Sequence, residues 1–239
     1  MPNNYFQFKE FAIQQDKCAM KVCTDACILG AWTANTIKAS SINNILDIGC
    51  GTGLLSLMLA QKIGACIEAI EINQDAANQA AENISNTAWA KNIKVIHTSL
   101  QNFIPLKKYD LIISNPPFYE DDLRSEDENK NAAKHDTTLK LEELILFVNE
   151  HLADKGTFAV LLPFQRVNYF EKMVNEHGLF IQEKLFIKQS PQHDFFRAVI
   201  FVSKQEAQSP LTIELVIHDN ERQYTPPFQS LLKDYYLKL

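Results

Sequence analysis

Short apolar runs alternate with amphipathic stretches from residue 42 onwards. The runs have the length of buried strands, and in the stretches between them apolar residues recur at helical spacing. Strands that alternate with helices predict βαβ units, and therefore an α/β fold on a mostly parallel sheet with helices on both faces. Strands are predicted at 45–48, 66–71, 93–97, 109–114 and 157–163, with helices near 53–62, 74–88, 139–152 and 166–177.

The helices carry local signals for their ends and faces. Thr24 or Asp25 is the expected N-cap of a helix near the start of the chain, and Thr137 or Thr138 that of the helix over 139–152, which Gly156 would end. One face of the helix over 74–88 is expected to be buried through five small or apolar residues: Ala76, Ala77, Ala80, Ala81 and Ile84.

The two ends of the chain carry weaker patterns. Apolar residues alternate with polar ones from Phe6 to Ile13, which predicts a strand or extended arm. A β pair is predicted at 185–188 and 197–203, with 211–217 as a further edge-strand candidate. No repeat or clear linker interrupts the pattern, so we expect one domain over 1–239, with an arm and a helix in 1–38. The C-terminal tail is expected to dock through Phe228, Leu231, Leu232, Tyr235, Tyr236 and Leu237.

Three alternate glycines follow the first core strand, in the pattern Asp47-x-Gly49-x-Gly51-x-Gly53. Glycine permits a sharp turn and lets a ligand approach the backbone and the helix start behind it. A dinucleotide site would need a third glycine at Leu54, so an oxidoreductase is disfavoured. The pattern resembles motif I of the class I S-adenosylmethionine (SAM) methyltransferases. In that family the loop holds the methionine end of SAM, and the acid that ends the next strand, here Glu71, binds the ribose hydroxyls.

A second informative stretch, Asn115-Pro116-Pro117-Phe118, follows the fourth core strand. Ligands of open parallel sheets bind at the carboxyl ends of the strands, so Asn115 should share a crevice with the glycine loop. The tetrapeptide resembles the N-P-P-[YFW] motif of methyltransferases that modify a planar amino or amide nitrogen. The Asn115 oxygen and the Pro116 carbonyl would each accept an N–H of the target nitrogen, Pro117 would rigidify the turn, and Phe118 would stack on the base.

Composition and charge limit the possible partners. Apolar residues make up 46 % of 239 residues, which is enough for a full core, and no apolar run is long enough to span a membrane. Five cysteines, an odd number, and the lack of a signal-like start indicate a cytoplasmic protein with reduced thiols; the spacing of Cys18, Cys23 and Cys27 matches no metal motif. A net charge of −6 disfavours sequence-blind phosphate binding but leaves room for a specific nucleic acid on a local basic surface.

The longest polar stretch, 119–137, follows the N-P-P-F motif. Six acids and two bases lie between Glu120 and Lys130. A loop of this length beside a catalytic motif is expected to be a mobile substrate loop, although a solvated acidic loop explains its first half equally well. Its second half, around Lys134 and His135, is better placed to contact substrate. Basic residues at 184, 188, 197 and 204 are further candidates for phosphate contacts, each with a plain surface role as the alternative.

Taken together, the motifs resemble the bacterial tRNA1(Val) (adenine(37)-N6)-methyltransferases over nearly the whole chain. The resemblance implies a Rossmann-like class I fold, with seven mostly parallel strands of which the last is antiparallel. It also implies SAM as cofactor, no metal, tRNA as substrate and N6-methyladenosine as product. No obligate protein partner is inferred, and a monomer is favoured. The implied cofactor residues are Lys21, Thr24, Asp47, Gly49, Gly51, Gly53, Glu71, Ser99 and Asn115, and the implied substrate residues are Phe118, Tyr119, Lys134, His135 and Arg197.

One position departs from the family pattern, and other features bear on the alternative functions. Ser99 stands where the family often has an acid that contacts the SAM adenine, so adenine recognition there rests on a hydroxyl or the backbone. The same chemistry on a protein glutamine or an rRNA guanine would normally need an N-terminal domain for which 44 residues give no room. A DNA adenine methyltransferase would more often have D-P-P-[YW]. A non-catalytic SAM-binding scaffold would not need the intact N-P-P-F motif.

Overall fold

The computed structural model describes residues 4–18, 20–116 and 140–239. The strands are β1 Tyr5–Gln7, β2 Ala12–Gln14, β3 Asn44–Ile48, β4 Cys66–Glu71, β5 Ile93–His97, β6 Tyr109–Ser114, β7 Leu152–Pro163, β8 Phe180–Lys188, β9 Phe195–Ser203 and β10 Leu211–Val216. The helices are α1 Thr24–Thr36, α2 Leu54–Ala60, α3 Gln74–Ser85, α4 Leu141–His151, α5 Val167–Glu176 and α6 Pro226–Leu232. Short 3-10 helices span Ala39–Ser41, Leu100–Asn102 and Phe164–Arg166.

The main sheet has the strand order β10-β8-β9-β7-β6-β3-β4-β5. Neighbouring strands are parallel except at β9, which runs antiparallel to both β7 and β8. The prediction of a mostly parallel α/β sheet is therefore confirmed, but the antiparallel strand, β9, is followed by one more strand, β10, which is parallel to β8. The strand count is eight rather than seven, because Leu211–Val216 pairs in parallel with β8 along its whole length.

Each face of the sheet has its own apolar cluster. Ile45 and Ile113 belong to the cluster that packs against α1, α2, the N-terminal hairpin and the C-terminal tail. Leu46 and Ile112 belong to the other cluster, with the buried residues of α4 and α5. Successive side chains of a strand point to opposite faces, so a strand buried on both faces reads as the continuous apolar run seen in the sequence.

The predicted N-terminal arm is a hairpin, β1–β2, and the C-terminal tail covers it. The Lys9 backbone N–H donates to the Tyr235 carbonyl at 2.9 Å, and Phe8 forms an isolated antiparallel bridge with Tyr236. The Tyr235 hydroxyl reaches the Met58 carbonyl of α2 at 3.0 Å. The two ends of the chain thus brace α1 and α2. Tail docking is confirmed except at Leu237, whose side chain is exposed.

The sequence-based expectations for the start of α1 and for the buried face of α3 were wrong. The N-cap of α1 is Cys23, with no side-chain cap bond, because Thr24 and Asp25 already lie in the helix and bond to residues distant in sequence. Ala81 is exposed, and Gln79 and Asn83 share the buried face of α3 instead, because they bind the N-terminal segment. The proposed caps at 137 and 138 lie outside the described residues.

Gly156 does not end a helix. Helix α4 ends at His151, and β7 begins at the next residue, where the β6–β7 pairing shifts register. A Cβ at Gly156 would lie 2.9 Å from the Tyr109 carbonyl oxygen, which is closer than backbone atoms allow. The glycine therefore permits the close approach of β6 and β7 at this irregularity.

Candidate active site

The glycine loop lies at the carboxyl end of β3, and its backbone is fixed from β4. Gly49, Gly51 and Gly53 have φ angles of 71°, 55° and 85°, in the left-handed region that favours glycine. The N–H groups of Gly49 and Cys50 both donate to the Ile70 carbonyl, at 2.9 and 3.0 Å. A Cβ on Gly49 or Gly51 would meet nothing within 4 Å, so these two residues border open space that a ligand can enter.

Glu71 ends β4 beside this loop and is almost fully buried. Its Oε2 accepts the Gly51 N–H at 2.9 Å, and its Oε1 accepts the Asn73 N–H at 2.9 Å. Each carboxylate oxygen can accept two hydrogen bonds, so each keeps a lone pair for a further donor. Glu71 therefore holds the loop and still offers an acceptor pair for a diol.

Asp47 lies beneath the loop. It is fully buried, and its Oδ2 accepts the Ser56 hydroxyl at 2.7 Å and the Ser56 N–H at 3.1 Å. Its Oδ1 is buried and has no hydrogen-bond partner among the described residues. Burial raises the pKa of Asp47 to about 7, and the nearby Glu71 charge acts in the same direction. Asp47 thus joins the end of β3 to α2.

Helix α3 supports the loop from behind. The Asn83 side chain donates to the carbonyls of Thr52 and Gln14, both at 3.0 Å, and accepts the Gln14 N–H at 2.9 Å. A Cβ on Gly53 would lie 3.3 Å from the Ile84 side chain, so loop and helix are in close contact. Asn83 therefore couples the glycine loop to the N-terminal hairpin.

Asn115 stands next to the glycine loop across the β3–β6 boundary. The parallel register pairs Ile48 with Ser114, and the Ser114 hydroxyl donates to the Ile48 carbonyl at 2.8 Å. The following residues, Gly49 and Asn115, thus leave neighbouring strands at the same edge, with about 4.8 Å between the strands. Asn115 therefore stands beside the glycine loop, as the sequence predicts, and the adjoining Pro116 is buried.

The Asn115 amide is oriented by a residue that the sequence analysis did not single out. Its Nδ2 lies 3.7 Å from the sulfur of Met20, as a weak hydrogen bond. No described residue donates to its Oδ1, so that oxygen can accept from a ligand. Met20 carried no sequence signal for this role, whereas Asn83 could have been found as a polar residue on an otherwise apolar helix face.

The other predicted cofactor residues are Lys21, Thr24 and Ser99, which lie outside the glycine loop. Lys21 is exposed in the segment before α1. The Thr24 hydroxyl hydrogen-bonds the hydroxyl of Tyr236 in the tail. The Ser99 hydroxyl accepts the Asn102 N–H at 3.3 Å and so caps a 3-10 turn just after β5. Their contact with a cofactor stays a prediction.

Most of the basic residues that were predicted to contact phosphate form ion pairs within the protein. The Arg197 Nε donates to Asp25 Oδ2 at 3.0 Å, with the arginine side chain 39 % exposed. Lys184 pairs with Glu171 at 2.6 Å, and Lys188 lies 3.5 Å from a Glu214 oxygen. Arg197 keeps part of its guanidinium accessible, but Lys184 is poorly suited to bind a phosphate.

Several predicted residues lie outside the described part of the chain. The predicted catalytic and substrate residues in this group are Pro117, Phe118, Tyr119, Lys134 and His135, together with the rest of the loop 119–137. Within residues 4–18, 20–116 and 140–239, no cluster of three metal-binding side chains occurs. The same residues include no helix with the length and apolarity to cross a membrane.

Comparison with known proteins identifies the family. The family model "Methyltransferase small domain" matches residues 31–177. A tRNA1(Val) (adenine(37)-N6)-methyltransferase from Parabacteroides distasonis is 39 % identical over 241 residues, and one from Trichodesmium erythraeum is 39 % identical over 246 residues; both alignments cover the whole of both chains.

Solved structures share the fold. A predicted O-methyltransferase from Agrobacterium tumefaciens superposes with a TM-score of 0.67 at 19 % identity, covering 88 % of this chain and 96 % of its own. TYW2 from Pyrococcus horikoshii, solved with MeSAdo, has a TM-score of 0.60 at 15 % identity, covering 84 % and 71 %. With full-length relatives at 39 % identity, the chain belongs to the tRNA1(Val) (adenine(37)-N6)-methyltransferase family.

Proposed function

We propose that this protein transfers the methyl group of SAM to the N6 amino group of adenosine 37 in tRNA1(Val), immediately 3′ of the anticodon. The observation that carries the proposal is the position of Asn115, which stands beside the glycine loop on the adjacent strand and whose Oδ1 accepts a hydrogen bond from no described residue. The names of the full-length relatives supply the substrate. A cytoplasmic location, where tRNA is modified, is part of the same proposal.

The residues around the crevice fit SAM. The open space beside Gly49 and Gly51 would take the methionine end against the loop. The two Glu71 oxygens, each with a lone pair left, would accept the two ribose hydroxyls. Asp47, whose Oδ1 is buried without a partner among the described residues, would support the loop from below, and Ser99, which follows β5, would contact the adenine. When bound, SAM supplies an electrophilic methyl group on a positively charged sulfur.

The chain's own contribution concerns the target nitrogen. The lone pair of the adenine amino group is delocalised into the ring, which makes the group a poor nucleophile. Asn115 Oδ1 and the Pro116 carbonyl would each accept one N–H, favouring a pyramidal nitrogen and stabilising the positive charge that develops on it. A preorganised contact of this type is worth about 2.7–4 kcal/mol in the transition state.

The proton balance needs no strong base. The nitrogen forms its bond to the methyl carbon as the carbon–sulfur bond breaks, and the methylated ammonium that results is acidic enough to lose its proton to water. Phe118 would hold the flipped base by stacking, a contact worth about 1–3 kcal/mol. Tyr119, Lys134, His135 and the accessible part of Arg197 are the proposed contacts with the rest of the RNA.

The test is methyl transfer from radiolabelled SAM to an unmodified tRNA1(Val) transcript, with the product nucleosides identified by mass. The matched control is the same transcript with guanosine in place of the target adenosine. We expect N6-methyladenosine from the first transcript and no label in the second. Bulk rRNA and a release factor are assayed in parallel, and label in one of them but in neither transcript would overturn the tRNA assignment. No label in any substrate despite SAM binding would favour a non-catalytic scaffold.

A further inference from the structure

A cavity opens at the same edge of the sheet as the glycine loop and Asn115. It has a volume of about 440 Å³ and lies between the β8–β9 turn and the loop that follows β10. That volume lies in the range of small-molecule sites. The residues of its lining that carry the chemistry are Gln189, Gln192, His193, His218, Asp219 and Arg222.

The lining is polar and nearly balanced in charge. It offers amide, imidazole and hydroxyl groups together with one carboxylate and one guanidinium. The Gln189 side-chain amide nitrogen lies 3.2 Å from Nδ1 of the His218 ring, within hydrogen-bond distance. A lining that presents both donors and acceptors suits a nucleobase edge better than it suits a row of phosphates.

Arg222 is held at this cavity by a strained turn. Its φ of 63° is the one positive value among the non-glycine residues that the structure describes. Asp219 fixes the turn, because its Oδ1 accepts the N–H groups of Glu221 and Gln223, both at 2.9 Å. No described acidic side chain pairs with the guanidinium. Backbone strain of this kind clusters at binding sites.

The cavity is within reach of an RNA bound at Asn115. The order β6-β7-β9-β8 places three strand spacings between them, or about 14 Å. Aromatic rings lie at the same edge between the two sites: Phe164, Phe186 and Phe195 pack within 5.0–5.4 Å of one another, with Lys188 Nζ 4.2 Å from the centre of the Phe195 ring. The three rings are half-buried and Lys188 also lies 3.5 Å from Glu214; aromatic rings with a nearby cation are the groups on which bases of single-stranded RNA stack.

We propose that this cavity binds an unpaired nucleotide of the substrate RNA, a few positions from the target adenosine, with the polar side chains reading its base and Arg222 holding its phosphate. The inference rests on the proposed RNA substrate. The cavity thereby selects which RNA is methylated, while the glycine loop and Asn115 perform the transfer.

The test compares the wild type with two variants, Arg222→Gly and Gln192→Ala. Glycine relieves the positive φ, so the first variant should fold at least as well as the wild type. Gln192 is exposed and makes no hydrogen bond to the described residues, so its truncation is structurally mild. Lys155→Gln, at the opposite edge of the sheet, is the matched control for the loss of one positive charge.

Substrates are tRNA1(Val) transcripts in which each anticodon-loop nucleotide other than the target is replaced in turn. For the wild type we expect at least one replacement to lower kcat/KM about tenfold, and Gln192→Ala to remove that discrimination. Arg222→Gly should raise KM for every transcript, leave kcat within twofold, and reduce the slope of log affinity against log salt by about 1. Lys155→Gln should behave as the wild type.

The outcomes separate the two proposals. If the wild type discriminates against none of the replacements, or if both variants keep its discrimination and salt slope, the cavity does not bind the RNA. If the wild type forms no N6-methyladenosine on any transcript, the proposed function fails; the same transcripts then test the cavity by fluorescence anisotropy, where an unchanged affinity of Arg222→Gly would overturn it.

Discussion

The two halves of the sheet edge are built in different ways. On the side of β3 and β4, the groups that face the open space are the backbone of the glycine loop and the Glu71 carboxylate, and the buried Asp47 side chain holds the end of β3 in place. On the side of β8 and β10, the groups at the cavity are mostly exposed side chains carried by turns. The first half thus has a preorganised site for a constant ligand, and the second half has a surface whose specificity can change with single side chains.

This contrast predicts which property, SAM binding or RNA choice, a substitution in each half should change. A change in the β3–β4 half should disturb cofactor binding whatever the RNA, because a buried partner is lost and the loop moves. A change in the β8–β10 half should alter RNA choice and leave SAM affinity intact. Asn115 stands at the boundary, where we expect an effect on the chemical step alone.

The largest expected effect is that of Asn115→Ala. Loss of one acceptor at the reacting nitrogen should lower kcat by about 10²–10³, while the SAM dissociation constant stays within a few-fold. Single-turnover methylation and calorimetric titration with SAM measure the two quantities. A variant that still methylates tRNA at the wild-type rate would remove Asn115 from the mechanism.

The next effect is that of Glu71→Ala on SAM affinity. Loss of a charged acceptor for two hydroxyls and for the Gly51 N–H should weaken SAM binding about ten- to a hundred-fold. Glu68→Ala is a matched control on the same strand. The Glu68 carboxylate accepts a hydrogen bond from the Tyr109 hydroxyl at 2.7 Å and does not contact the glycine loop. Equal SAM affinities for the two variants, measured by calorimetry, would refute the ribose assignment.

Asn83→Ala should disturb both the fold and the loop. The substitution leaves the Gln14 N–H and two carbonyls without their partner, at a cost of about 1–3 kcal/mol in the free energy of unfolding. Denaturant unfolding measures this loss, and calorimetry should show weaker SAM binding as well. The control is Asn83→Asp, which keeps the acceptor for the Gln14 N–H but loses the two donated bonds. If this variant bound SAM as poorly as Asn83→Ala, the donated bonds, including the one to Thr52, would be those that support SAM binding.

The smallest expected effect is a change in pH dependence at Asp47. Its pKa is raised from 3.8 to about 7 in the folded chain, so the folded state binds more protons than the unfolded state between these values. This contribution to stability is present below pH 3.8 and is lost as the pH rises through 7. Asp47→Asn keeps an acceptor for Ser56, so its thermal midpoint should fall less than that of the wild type between pH 5 and pH 8. If the thermal midpoints of the two proteins changed in parallel with pH, the raised pKa of Asp47 would be contradicted.

Much of the fold and the centre of the site followed from the sequence, because they depend on local patterns. Apolar runs and helical spacing located nearly every strand and helix, since burial on both faces imposes a continuous apolar run. The placement of Asn115 beside the glycine loop required only that β3 and β6 be parallel neighbours, because the carboxyl ends of parallel strands lie at one edge. The glycines themselves marked the left-handed turns.

The partners of the polar side chains, in contrast, were decided by the tertiary structure. Arg197 meets Asp25, a residue 172 positions away, and Asn83 reaches Gln14 across 69 positions. Gly156 is required by the approach of Tyr109 from a neighbouring strand. The local pattern of apolar and polar residues determines which face of an element is buried. A hydrogen bond additionally requires that its donor and acceptor come within about 3 Å of each other. Pairs of this kind therefore depend on how distant segments pack, which the order of residues alone does not reveal.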